Sequence, residues 1–231
     1  MQLGGGGFSD FFDDLTRLSA LTDLTLSTAG ELPECLTALT QLRALALVAS
    51  PFAWEAEDWE LEEMEGWEDT QLAPALQQLT RLTSLFVVDP PPADAFPATL
   101  TALHQLQRFG WVGSNPDDPR LPSGRWLAGL QQLTLQADVA AENSAVWRKA
   151  VHLECLRLCS FLPDSNQYLP SLREQLLPSI TSLPCLQQLC LGCRTGTACP
   201  SADSLQRIAA DVIRRHPDLT VQADKDLSYR C

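Results

Sequence analysis

Residues 153–160 read LECLRLCS, and the pattern inside them, L-x-x-L-x-L, is the one on which the fold turns. It recurs upstream as Leu130-Gln-Gln-Leu133-Thr-Leu135 and downstream as Leu186-Gln-Gln-Leu189-Cys-Leu191. Earlier copies are Leu21-Thr-Asp-Leu24-Thr-Leu26, Leu42-Arg-Ala-Leu45-Ala-Leu47, Leu82-Thr-Ser-Leu85-Phe-Val87 and Leu106-Gln-Arg-Phe109-Gly-Trp111. A looser eighth copy closes the series at His216-Pro-Asp-Leu219-Thr-Val221. Successive copies stand 21, 40, 24, 24, 23, 33 and 30 residues apart, so the short steps are single repeats and the long ones repeats with insertions.

Alternation in L-x-L puts the leucines on one face of a strand and the x residues on the other. Most copies follow a second leucine run, as in LPECLTALTQL (32–42), LAPALQQLTRL (72–82), FPATLTALHQL (96–106) and LPSITSLPCLQQL (177–189). Leucines spaced by three suit a short helical or 3-10 segment whose apolar stripe packs back onto the strand. One copy alone leaves its leucines half exposed, and stacking neighbours completes the core. Eight strands at a spacing of about 4.8 Å span roughly 35 Å.

These residues resemble the leucine-rich-repeat superfamily, in the type with an L-P-x-x-L-x-x-L half after the strand, over roughly residues 15–221. The resemblance implies an α/β fold: a right-handed horseshoe solenoid with about eight parallel strands on the concave face and short helical or 3-10 segments on the convex face. It implies a single domain over 1–231, with a leader and cap in 1–20, repeats in 21–200 and a C-terminal helix, last strand and cap in 201–231. One departure stands out. The family's asparagine three residues after the last strand leucine is replaced by Ala29, Ser50, Pro90, Ser114, Asp138, Phe161 and Arg194.

The expected caps are FSDFFDDLTRL (8–18), after a flexible Gly4–Gly7 leader, and a helix opened by Ser201 that runs through Leu205, Ile208, Val212 and Ile213. Insertions follow the strands at 50–72, 89–95, 113–124 and 160–175, which places them on one rim beside the mouth of the concave face. The segment QADVAAENSAVWRKAV (136–151) reads as helical, with Trp147 packing inward.

The first of these insertions is unusual. Residues 51–70, PFAWEAEDWELEEMEGWEDT, carry Trp54, Trp59, Trp67 and nine acids without a base. The net charge is −13, and without those nine acids it is −4, so the acidity is local. It disfavours nucleic acid and anionic membranes as partners and favours a basic or mixed-charge protein surface. No run approaches the roughly 18 apolar residues of a membrane span. The N-terminus lacks signal-peptide character, and no asparagine lies in a glycosylation acceptor. A cytoplasmic protein, monomeric on its own, is the expectation.

The x positions supply the candidate site. Val48, Phe86, Val88 and Val112 form an expected apolar patch bordered by Arg108, and Gln132, Gln136 and Arg157 form a hydrogen-bonding flank. With Trp54, Trp59 and Trp67 on the rim, these are the expected partner-binding residues of a non-catalytic protein- or peptide-binding module. His104, His152 and His216 lie outside the x columns with no nucleophile or carboxylate beside them, so no catalytic residue is assigned. No phosphate loop and no cofactor are expected. Two other readings stand beside this one: the substrate-recognition subunit of a ubiquitin ligase or similar assembly, and a thiol-redox or zinc protein. The last rests on Cys155, Cys159, Cys190 and Cys193. Two of its four thiols, Cys155 and Cys159, are about 13 Å apart on one extended strand, too far for a single zinc ion unless that strand ends before Cys159. A pairing of Cys159 with Cys190 or Cys193 across neighbouring copies is the alternative.

Overall fold

The computed structural model describes residues 2–3, 17–28, 34–49, 72–88, 96–112, 121–160, 177–180, 182–193 and 202–224. The chain divides into two compact units, one of Met1–Leu106 with Asn115–Trp126 and the other of Gln107–Ser114 with Leu127–Cys231.

The first unit holds β1 (Gln2–Leu3), β2 (Asp23–Thr28), β3 (Ala44–Ala49) and β4 (Ser84–Val88). All pair in parallel and in chain order, with Leu24 beside Leu45 and Leu45 beside Leu85. Strand β1 was not anticipated. Gln2 and Leu3, expected in the leader, pair with Thr25 and Leu26. Two residues are too few to show any alternation in sequence.

The leucine runs before the strands have a definite geometry. The amide of Leu39 donates to the carbonyl of Leu36 at 3.1 Å, and Leu42 to Leu39 at 3.0 Å. The same steps join Leu79 to Leu76, Leu82 to Leu79, Leu103 to Leu100 and Leu106 to Leu103. Such i to i−3 bonds bring every third residue onto one side. All nine of these leucines are 0% exposed. Burying each contributes about 1.5–3 kcal/mol, far more than helix propensity in elements this short. The 3-10 segment Glu34–Ala38 and the helices Leu72–Gln78 and Phe96–Thr99 arise this way and pack side by side.

The second unit holds β5 (Arg108–Val112), β6 (Gln132–Gln136), β7 (Cys155–Ser160), β8 (Gln188–Cys193) and β9 (Thr220–Asp224), again parallel and in chain order. Leu133, Leu156 and Leu189 stand in one buried row, and Leu135, Leu158 and Leu191 in the next. Parallel strands joined by helical segments place the chain in the α/β class.

One backbone device repeats at the entries to β3, β4, β6, β7 and β8. The carbonyl of Thr22 accepts from the amides of both Arg43 and Ala44, and that of Arg43 from Thr83 and Ser84. In the second unit Gln107, Gln131 and Glu154 each accept two amides from the following copy in the same way. A carbonyl has two lone pairs, so each copy locks the start of the next.

The segment after β6 is helical, as its composition suggests, in two pieces, Ala137–Glu142 and Ser144–Trp147. Trp147 is fully buried and donates its indole N–H to the Ala140 carbonyl at 2.7 Å. The last helix, Ala202–Arg215, begins directly after Ser201 and packs on β8 and β9 through Ala209 and Val212. Ile213, expected on its inner face, is 46% exposed. The buried stripe runs through 209 and 212, and Ile213 lies one residue round from it.

Among the described residues no helix is long and apolar enough to cross a membrane. The cap segment 8–16, the insertion 50–71 and most of the other insertions lie outside the described residues.

Candidate functional site

The x residues of both units form the sheet face opposite the leucines. In the first unit one row reads Thr25, Ala46, Phe86, with Asp23, Ala44 and Ser84 in the row before it. Phe86 and Val48 are half-buried, as are Thr25, Ala44 and Ser84.

In the second unit the rows are Arg108, Gln132, Cys155, Gln188, Thr220; then Gly110, Thr134, Arg157, Cys190, Gln222. Arg108, Gln132 and Gln222 are exposed, and Thr134, Arg157 and Gln188 half-buried. Arg157 occupies the middle of the second row. Among the described residues its charged-group interactions are with thiols rather than carboxylates.

The third row falls short of the expectation. Val88 is 3% exposed, Val112 0%, Gln136 5% and Cys159 2%. Alternation still aims these side chains at the x face, but at the carboxyl ends of the strands, where this row lies, they are buried, Val48 alone keeping intermediate exposure. Val88, Val112 and Gln136, all expected to touch a partner, offer almost no surface. Val48, Phe86, Arg108, Gln132 and Arg157 keep theirs. Trp54, Trp59 and Trp67 lie outside the described residues. The other three tryptophans, Trp111, Trp126 and Trp147, are all buried.

The grouping that sequence reasoning missed is a diagonal one. Cys155 and Cys159 do lie on one strand, β7, and Arg157 between them pairs in register with Cys190 of β8. Cys155 and Cys190 are hydrogen-bonded to each other, and Arg157 touches both. The Cys190 proton holds the Cys155 thiol down to about 6, against the opposing effect of burial, with Arg157 adding a hydrogen bond and its charge. Cys190 is correspondingly raised, because it keeps the proton that the pair shares and is buried. Burial raises Cys159 to about 11, against the pull of Arg157. Cys190 Sγ also lies 3.8 Å from Gln222 Oε1, a weaker acceptor than a thiolate. Of the two sequence alternatives, Cys159 with Cys190 or with Cys193, the first is not seen: Cys159 pairs in register with Gly192, and the thiol beside Cys190 is Cys155. The Cys193 side chain lies outside the described residues. The signal was available in the register, since residues i and j+2 on one face are diagonal neighbours.

His104 and His152 are exposed in turns, and His216 is half-buried at the end of the last helix. His216 joins Ile180, Leu183, Leu186, Arg215, Pro217, Asp218 and Leu219 around a hollow of about 210 Å³. Among the described residues no group of three His, Cys, Asp or Glu side chains could hold a metal ion. No family model matches the chain, and no curated protein matches it.

Proposed function

We propose that the chain is a leucine-rich-repeat solenoid acting as a non-catalytic binding module for a protein or peptide, seated on the x face of its strands. The observation that carries this reading is Phe86, a half-buried ring beside Ala46 and Val48 on a face that otherwise bears small side chains. Aromatic anchors next to small residues are where interfaces concentrate their energy. In the second unit, exposed Gln132 and Gln222 and half-buried Gln188 surround Arg157, a combination suited to hydrogen-bonding a partner's backbone and carboxylates. The acidic insertion with Trp54, Trp59 and Trp67 steers a basic or mixed-charge partner toward that face.

Replacing the nine acids of residues 55–69 by their amides tests the steering. Capture of the partner weakens at low salt, and the difference closes as ionic strength rises and screening lengths shorten. Capture that ignores the replacement at every salt concentration overturns this part of the proposal.

A further inference from the structure

We propose that Cys155 is a nucleophilic thiol that forms mixed disulfides with small soluble disulfides, with Cys190 and Arg157 as the groups that hold its charge. This is a chemical function of the second unit that shares Arg157 with the proposed binding face and requires no bound partner.

The argument begins with placement. Cys155 and Arg157 are two residues apart on β7 and therefore on the same face, and Cys190 pairs in register with Arg157. The thiols thus lie on a diagonal, with a guanidinium beside both. Among the described residues the adjacent x positions are neutral, and Asp224 of β9 stands one row beyond Gln222, opposite Gly192. From β6 come Gln132 and Thr134, from β8 Gln188, and from β7 itself the protonated Cys159. Glu154 lies just before the strand and is exposed, and Arg108 is two strands along the same row. The strong local electrostatics are therefore one positive charge and one S–H donor, both directed at one sulfur. Thiolates, not thiols, are the nucleophiles in exchange, and neighbours of this kind are what produce them.

Access comes from the x face. Cys155 is 7% exposed and Cys190 2%, and their neighbours on the x face are the long side chains Arg157, Gln188 and Gln222. A side chain that swings aside opens the sulfur without unfolding the sheet. Cys155, the more exposed of the pair, is the one that meets the reagent.

The step balances without any further reactant. The Cys155 thiolate attacks one sulfur of the small disulfide, whose S–S bond breaks as the new one forms. The other half leaves as a thiolate and takes a proton from water. Cys155 is oxidised, and that half of the reagent is reduced. The reaction stops there. Diagonal neighbours on adjacent strands have their Cα atoms about 7–8 Å apart, outside the range of about 4.4–6.8 Å that a disulfide bridges. Cys190 consequently does not displace the adduct.

The test uses the full chain with glutathione disulfide, quenched in acid and mapped by peptide mass spectrometry, and iodoacetamide for the rate against pH. The expected product is a glutathione adduct on Cys155 with Cys190 reduced. The expected iodoacetamide rate at Cys155 reaches half its plateau near pH 6. Cys190→Ala and Arg157→Gln each move that midpoint toward the ordinary thiol range. With thiolate fraction and intrinsic nucleophilicity both counted, the rate at pH 6 then falls about tenfold while the rate at pH 9, where the more basic thiolate is also formed, rises by up to about tenfold. Circular-dichroism melts of both variants establish that they fold, and the wild-type profile needs no variant. Three results overturn the proposal: Cys155 modified only after unfolding, an adduct on Cys190 instead, or an internal Cys155–Cys190 disulfide as the product.

Discussion

The indole N–H of Trp147 reaches back seven residues to the carbonyl of Ala140 at 2.7 Å, and this bond ties together the two short helices after β6. Trp147→Phe keeps most of the ring volume and leaves a buried carbonyl unpaired, at a cost of about 1–3 kcal/mol. Trp147→Ala adds a cavity, for a total of about 3–5 kcal/mol. Urea unfolding of the two variants gives that order, and a Trp147→Phe variant as stable as wild type would show that the hydrogen bond contributes nothing.

Neighbours on β6 provide a sharper contrast. Leu133 is 0% exposed and Gln132 is exposed, although they are adjacent in sequence. Leu133→Ala destabilises by about 2–5 kcal/mol. Gln132→Ala changes stability by no more than about 0.5 kcal/mol. Comparable losses at both positions, measured by chemical denaturation, contradict the two-faced strand.

That alternation was the most legible part of the chain. Each strand from Asp23–Thr28 to Gln188–Cys193 coincides with an L-x-L core, because period two and burial act on the same residues. The leucine runs were equally plain, their spacing of three being the signature of the bonds from Leu39 to Leu36 and Leu42 to Leu39. The third x row was not legible. Val112 and Phe86 occupy x positions alike, yet Val112 is 0% exposed and Phe86 half-buried, a difference that alternation does not encode. The Cys155–Cys190 pair was legible only by aligning two copies 33 residues apart, which sets Cys190 beside Arg157 and diagonal to Cys155.

Asp138 lies in the first turn of the helix Ala137–Glu142. Its Oδ1 accepts from the Val139 amide at 2.7 Å, yet burial raises its pKa above the usual carboxylate value, with the backbone bonds pulling the other way. A carboxyl raised on folding contributes stability below its unfolded pKa of 3.8, and that contribution is lost as pH rises through the folded value. Asp138→Asn keeps the acceptor and removes the buried charge. Its Tm at pH 7 rises by a degree or two, about 0.5 kcal/mol after allowance for partial exposure, and at pH 3 the gain vanishes. A loss at pH 7 would mean that the charge itself strengthens the cap.

Cys159 and Cys185 separate two kinds of thiol. Cys159 is 2% exposed and raised to about 11 by burial, whereas Cys185 is exposed. At pH 8 iodoacetamide labels Cys185 and leaves Cys159 unmodified in the folded chain, as peptide mapping will read. Rapid labelling of Cys159 under those conditions would place it at the surface.

The binding role of the x face rests most directly on Phe86. The decisive measurement is quantitative affinity capture from lysate with three forms of the full chain: wild type, Phe86→Ser, and His104→Ala as an exposed control in a turn. Loss of a central aromatic anchor weakens binding by at least about tenfold. The account predicts that a protein retained by wild type and by His104→Ala is lost at least tenfold from Phe86→Ser, with all three forms melting alike apart from the small cost of the polar substitution. Equal retention by all three forms would contradict it.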